Sequence, residues 1–100
     1  MAYSSVQGTL PAATPTPVFV CPAGKTVSVM SVRVNNPAAF TFTVSKHDAA
    51  SSTTLQIYTV NLSAGDILTD GTMMYLKEGD YLELTSDKAN TNYIILVVEF

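Results

Sequence analysis

From Val18 to the end of the chain, short runs of strand-forming residues alternate with turn-forming clusters about every ten residues. No other feature narrows the fold as much. The runs span residues 18–21, 26–35, 40–46, 54–62, 67–69, 72–76, 81–86 and 93–100. Between them lie Pro22-Ala-Gly-Lys25, Asn35-Asn-Pro37, residues 47–53, Ser63-Ala-Gly-Asp66, Asp70-Gly71, Lys77-Glu-Gly-Asp80 and residues 87–92. Each separator is rich in residues that turn the backbone. No window carries a helical apolar period. The pattern predicts an all-β chain, a single antiparallel β-sandwich of jelly-roll or immunoglobulin-like type with about eight strands. Residue usage agrees, with 11 Val, 13 Thr, 9 Ser and no Trp among 100 residues, the bias of a pleated, half-buried surface.

Two runs change phase midway. The apolar positions are odd in Val27-Ser-Val29 and even in Val32-Arg-Val34, and Leu55 and Ile57 give way to Tyr58, Val60 and Leu62 in the same manner. A strict period of two cannot do this without an inserted residue. The expectation is a bend in each strand, of the kind that lets a long strand serve one sheet and then the other. By contrast, Tyr93-Ile-Ile-Leu-Val-Val98 is apolar at every position. It reads as a central strand covered by the core on one side and by a neighbour on the other.

One sequence echo stands out. Leu62-Ser-Ala-Gly-Asp-Ile-Leu68 and Leu76-Lys-Glu-Gly-Asp-Tyr-Leu82 share a Leu-x-x-Gly-Asp core. In each, a glycine (Gly65, Gly79) can take the positive φ of a tight turn and an aspartate (Asp66, Asp80) can bond the turn backbone. Both read as entries to hairpins. Gly24 in Pro-Ala-Gly-Lys is expected to play the same turn-forming part.

Residues 1–17 differ from the rest. Pro11, Pro15 and Pro17 fall within eight residues that show no periodicity, and proline holds its own φ and pushes its predecessor to extended geometry. The segment is expected to be an extended arm outside the β-sandwich domain of residues 18–100. Tyr3, Val6 and Leu10 supply apolar anchors, so the arm and its prolines are candidates for contact with a neighbouring subunit.

Charge sets the limits on partners. Charged residues make up 13% of the chain and the net charge is −3, against about a quarter charged in a typical soluble domain. The mean hydropathy is +0.25. Such a surface is suited to being covered, by copies of itself or by a partner. Lys25, Arg33, Lys46, Lys77 and Lys88 are scattered singly, which leaves no basic stripe for nucleic acid. No run reaches the length of a membrane-spanning helix and no basic, then apolar, leader opens the sequence, so the chain is expected to fold in a cytoplasm. Cys21 has no cysteine partner within the chain and reads as a small buried hydrophobe. Met30, Met73 and Met74 read as filler of a core or interface.

Chemistry is sparse. His47, Asp48, Ser51 and Ser52 are close in sequence, but neighbours along a chain rarely face one another productively, and no nucleophile elbow or glycine-rich turn accompanies them. His47 reads as a solvated loop histidine. Asp66, Asp70 and the Asp87-x-x-Asn90-x-Asn92 loop could offer oxygens to calcium, yet the spacing matches no dedicated loop, and turn roles account for them. No catalytic residue, cofactor or metal is expected.

The segment from Val20 through Pro22-Ala-Gly-Lys-Thr26 to Asn36, the two Leu-x-x-Gly-Asp turns, Tyr81-Leu-Glu-Leu84 and the closing apolar strand together resemble small virion structural modules of tailed bacteriophages. The resemblance covers residues 18–100. It implies a β-sandwich that serves in capsid decoration (cement), head-tail, tail or fibre parts. The function it implies is a non-enzymatic virion protein, a decoration protein foremost, that self-associates as a trimer or other homo-oligomer and bridges major capsid subunits. A tail, neck or fibre-base part, or a carbohydrate- or receptor-binding module, are the alternatives.

Overall fold

The computed structural model describes residues 2–71 and 74–100. Among the described residues nine strands follow in order: β1 (Ala2–Leu10), β2 (Thr16–Val20), β3 (Val27–Asn35), β4 (Phe40–Asp48), β5 (Thr53–Leu62), β6 (Ile67–Asp70), β7 (Met74–Leu76), β8 (Tyr81–Ser86) and β9 (Thr91–Glu99). Thr72, where one run was expected to start, and Met73 lie outside the described residues.

The strands form two sheets, and neighbours within each pair antiparallel. Sheet A runs β1-β9-β3-β6, with β7 pairing the other half of β3, and sheet B runs β2-β8-β4-β5. Since β6 and β7 lie end to end along β3, the molecule is a sandwich of four strand positions against four. From β1 to β4, and again from β5 to β9 with β6 and β7 counted as one position, the chain passes back and forth between the sheets, and β4 and β5 form a hairpin within sheet B. That winding is the jelly-roll arrangement; an immunoglobulin-like sandwich distributes its strands differently.

Between the sheets lie Leu10, Val27, Val29, Val32, Val34, Phe40, Phe42, Val44, Leu76, Leu82, Leu84, Ile95 and Val97, all buried. Full burial of each large apolar side chain contributes about 1.5–3 kcal/mol relative to exposure. Phe40 and Phe42 meet edge to face at 6.4 Å between ring centroids.

The inserted residues expected from the phase changes are Met30 and Ile57. Pairing of β3 with β9 skips from Val29 to Ser31, and pairing of β4 with β5 passes from Tyr58 to Gln56. Neither strand changes sheet, however. The bulge in β3 instead keeps Val27, Val29, Val32 and Val34 all facing one core, because an extra residue resets the alternation.

The amino-terminal arm is corrected outright. Residues 2–10 pair with β9 in continuous register from Ala2 opposite Glu99 to Leu10 opposite Thr91. Leu10 is buried in the core and Val6 packs against it. The boundary expected after residue 17 falls inside β2. Residues 11–15 cross from sheet A to sheet B, held where Ala13 N–H donates to Ser86 O at 2.7 Å. Pro17 lies in β2, an edge strand, beside a register shift between Pro17 and Phe19, the setting in which a sheet tolerates proline.

The two Leu-x-x-Gly-Asp turns are not hairpin entries either. Residues 63–66 carry the chain from β5 in sheet B to β6 in sheet A, and residues 77–80 carry it from β7 in sheet A to β8 in sheet B. Both are corners of the sandwich. A tight turn has the same local chemistry whether the next strand pairs with the last one or departs to the facing sheet.

Candidate assembly surface

The outward faces of the two sheets differ in chemistry. On sheet B, β4 and its neighbours present Thr41, Thr43, Ser45 and His47 with Thr54, Thr59, Asn61, Tyr81, Glu83 and Thr85 in matching register. Several of these groups bond one another: Thr41 Oγ1 donates to Asn61 Oδ1 at 2.8 Å, and the Thr43 and Thr59 hydroxyls lie 3.0 Å apart. The centre of this face is polar, and Val20, opposite Tyr81 on the β2 edge, is its exposed apolar residue in these rows.

Sheet A turns outward four cross-strand rows. They are Tyr3-Val98-Ser28-Tyr75, Ser5-Leu96-Ser31, Gln7-Ile94-Arg33-Thr69 and Thr9-Asn92-Asn35-Ile67. Tyr3 (66% exposed), Ile67 (56%), Tyr75 (56%), Ile94 (45%) and Leu96 (37%) are large apolar side chains open to solvent on this one face. Arg33 is the one charged residue in these rows, and among the described residues it has no ion pair. Monomeric proteins rarely leave a contiguous apolar face of this kind uncovered. Tyr93 to Val98 is a central strand, β9, flanked by β1 and β3; its core side is covered and its outward side, Ile94 and Leu96, is open.

The face is not flat. Depressions of about 330 Å³, lined by Gln7, Gly8 and Thr9, and about 270 Å³, lined by Arg33, Asn35 and Ile67, flank Ile94 and Asn92. Two long edge strands adjoin the sandwich, β1 (AYSSVQGTL) and β5 (TTLQIYTVNL), and neither carries a charge. Uncharged edges lack the lysines with which many proteins discourage edge pairing.

Of the residues expected to contact a neighbour, Tyr3 belongs to the apolar face, while Val6 and Leu10 are spent on the chain's own core. Pro11, Pro15 and Pro17 are exposed but lie off that face, on the crossing to sheet B and in β2. Sequence reasoning missed Tyr75 and Ile67 as members of the surface that includes Ile94 and Leu96; only cross-strand register joins them.

The turn residues hold the corners. Gly24, Gly65 and Gly79 have φ of 74°, 79° and 84°. Asp66 accepts from Ser63 N–H at 3.3 Å. Asp80 is 1% exposed and accepts from Lys77 N–H at 3.0 Å and from Ala49 N–H at 2.9 Å, with Lys46 Nζ at 3.9 Å. Burial alone would raise the Asp80 pKa; the two backbone hydrogen bonds and Lys46 outweigh it and hold the carboxyl below its ordinary range. Asp80 therefore fastens the corner between β7 and β8 to the β4–β5 hairpin.

His47 lies in β4, not in a loop, stacked on Tyr81 at 4.4 Å with Nδ1 2.8 Å from Thr54 Oγ1. Ser51 donates to Asp48 at 2.6 Å, and this bond comes first in lowering the Asp48 pKa. The three residues are thus engaged in separate local contacts rather than in a relay. Asp87 accepts from Thr41 N–H at 2.7 Å. Among the described residues, no three of His, Cys, Asp and Glu are grouped to hold a metal. Cys21 is 2% exposed, and burial, followed by Asp80 and Glu99, pushes its thiol pKa up.

No protein-family model and no curated protein matches the chain. A solved structure from work on Bacillus endospore appendages, described as a novel family of disulfide-linked pili, matches at TM-score 0.59 and 13% identity, over 99% of this chain and 84% of that one. At that identity the likeness concerns the fold.

Proposed function

We propose that this chain is a non-enzymatic structural subunit of a bacteriophage virion and, within it, a decoration protein that braces the head by self-association and by contact with major capsid subunits. The observation that carries the structural-subunit reading is the outward face of sheet A, where five large apolar side chains share four rows with a single charge. The motif resemblance supplies the phage setting. With the amino terminus built into sheet A, bridging falls to rigid faces and edges and not to a loose arm. Many copies with modest contacts add up in such a shell. The deciding experiment compares particles with and without the protein under heat and osmotic shock. Heads that resist equally well without it would rule out the cement role.

A second reading, a subunit of a filamentous surface appendage, is favoured by the likeness to the pilus structure. Disulfide linkage does not transfer easily, because the one cysteine is buried with a raised thiol pKa, which suppresses the reactive thiolate. Electron microscopy of the concentrated protein separates the readings: filaments favour the appendage, whereas discrete oligomers that bind heads favour decoration.

A further inference from the structure

The outward face of sheet A is shaped to receive another copy of itself. At one end, Tyr3 and Tyr75 project on either side of Val98 and Ser28, which are buried. At the other end, two depressions flank Ile94 and Asn92. We propose that two copies of this chain pack sheet A against sheet A about a two-fold axis lying in the interface and running across the strands. The tyrosine-bearing end of each copy then lies over the indented end of the other. This deepens the structural-subunit reading, on which it rests, by naming the occupant and the geometry of the face.

Three physical points favour a second copy. First, a two-fold interface must be self-complementary, and this face carries knobs and hollows at opposite ends. Second, four strand positions about 4.8 Å apart and nine residues long at about 3.4 Å per residue span roughly 600 Å² on each copy. The two together reach about 1,200 Å², the lower end of the range for stable interfaces. Third, the arrangement gives Arg33 a partner. It sets the guanidinium of one copy towards the Tyr75 end of the other, where a cation can lie over an aromatic ring, and it staggers the two arginines along the strands instead of opposing them.

The test is analytical ultracentrifugation of the full chain, wild type beside Leu96→Lys at the centre of the face and Thr43→Lys on the polar face of sheet B. Circular dichroism and thermal melting of each variant would establish that the fold is kept. The expectation is a wild-type dimer, a dissociation constant raised at least 100-fold by Leu96→Lys, and no change from Thr43→Lys. Arg33→Ala and Tyr75→Ala should each weaken the dimer, and together by about fivefold less than the product of their separate effects. A wild-type protein that stays monomeric at several hundred micromolar, or a dimer indifferent to Leu96→Lys, would overturn the proposal; contact with major capsid subunits, the other part of the decoration reading, is tested separately by binding to heads. A dimer that behaves as described but does not bind heads would sink the decoration reading and leave the interface standing.

Discussion

The Tyr93 ring fills the space a side chain at Gly8 would occupy: a Cβ built there would sit 2.6 Å from the Tyr93 hydroxyl oxygen and 2.8 Å from Cζ. The two residues are directly opposite in the pairing of β1 with β9. Gly8→Ala should therefore force the ring aside and cost about 1–3 kcal/mol, the range for overpacking. In a Tyr93→Leu background the same change should cost much less. Urea unfolding of the four proteins measures the coupling; equal costs in both backgrounds would mean the ring moves freely.

Because β1 is part of sheet A, removing it is a change to the core. Deleting residues 2–10 strips β9 of a neighbour along nine register positions and takes Leu10 out of the sandwich. The truncated chain should lose its cooperative thermal transition or melt far below the full chain. The milder Leu10→Ala should cost about 2–5 kcal/mol, as for other buried leucines. A truncated protein that melts within a degree or two of the full chain would restore the picture of a dispensable arm.

Gly8 also explains why β1 was not legible in the sequence. Its core-facing positions are Ser4, Val6, Gly8 and Leu10, and the apolar period is broken where Tyr93 from the adjoining strand supplies the missing bulk. The other strands carried their own signals, and the bulges at Met30 and Ile57 were visible as breaks in alternation. The corners at residues 63–66 and 77–80 were legible as turns but not as crossings, since the choice of sheet depends on packing far along the chain. Part of the assembly surface could be read from the sequence, in the apolar run Tyr93 to Val98 and in Tyr3. Ile67 and Tyr75 come from separate segments that only strand register brings onto the same face.

Asp80 makes the fold sensitive to acid. Its carboxyl is held below its ordinary pKa in the folded chain, so the stabilisation is fully present above the unfolded value of about 4 and drains away as pH falls through the lower folded value. Asp80→Asn should lower stability at pH 7 by about 2 kcal/mol, the scale of hydrogen bonds to a charged group. The gap from wild type should narrow below pH 4. Denaturant melts at pH 7 and pH 3 give the comparison, and a gap of the same size at both would show that the negative charge is not what secures the corner.

Tyr58 sets the opposite limit. It lies on β5 in sheet B, and burial pushes its phenol well above the ordinary tyrosine range, with the Asp70 carboxylate of β6 in sheet A adding to the effect. A raised folded pKa means that the folded chain holds the proton more tightly than the unfolded chain does. The stabilisation linked to that proton is complete below the unfolded value of about 10 and is lost as pH rises from there towards the folded value. Wild type should therefore lose stability between pH 10 and pH 12, where the other tyrosines also begin to ionise. Tyr58→Phe removes the titrating group while keeping the ring, so its stability should fall less steeply over the same interval. Thermal melts at half-unit steps from pH 9 to pH 12 measure both slopes; parallel slopes would mean that Tyr58 ionises without resistance and that the Asp70 side of the sandwich does not hold its proton in place.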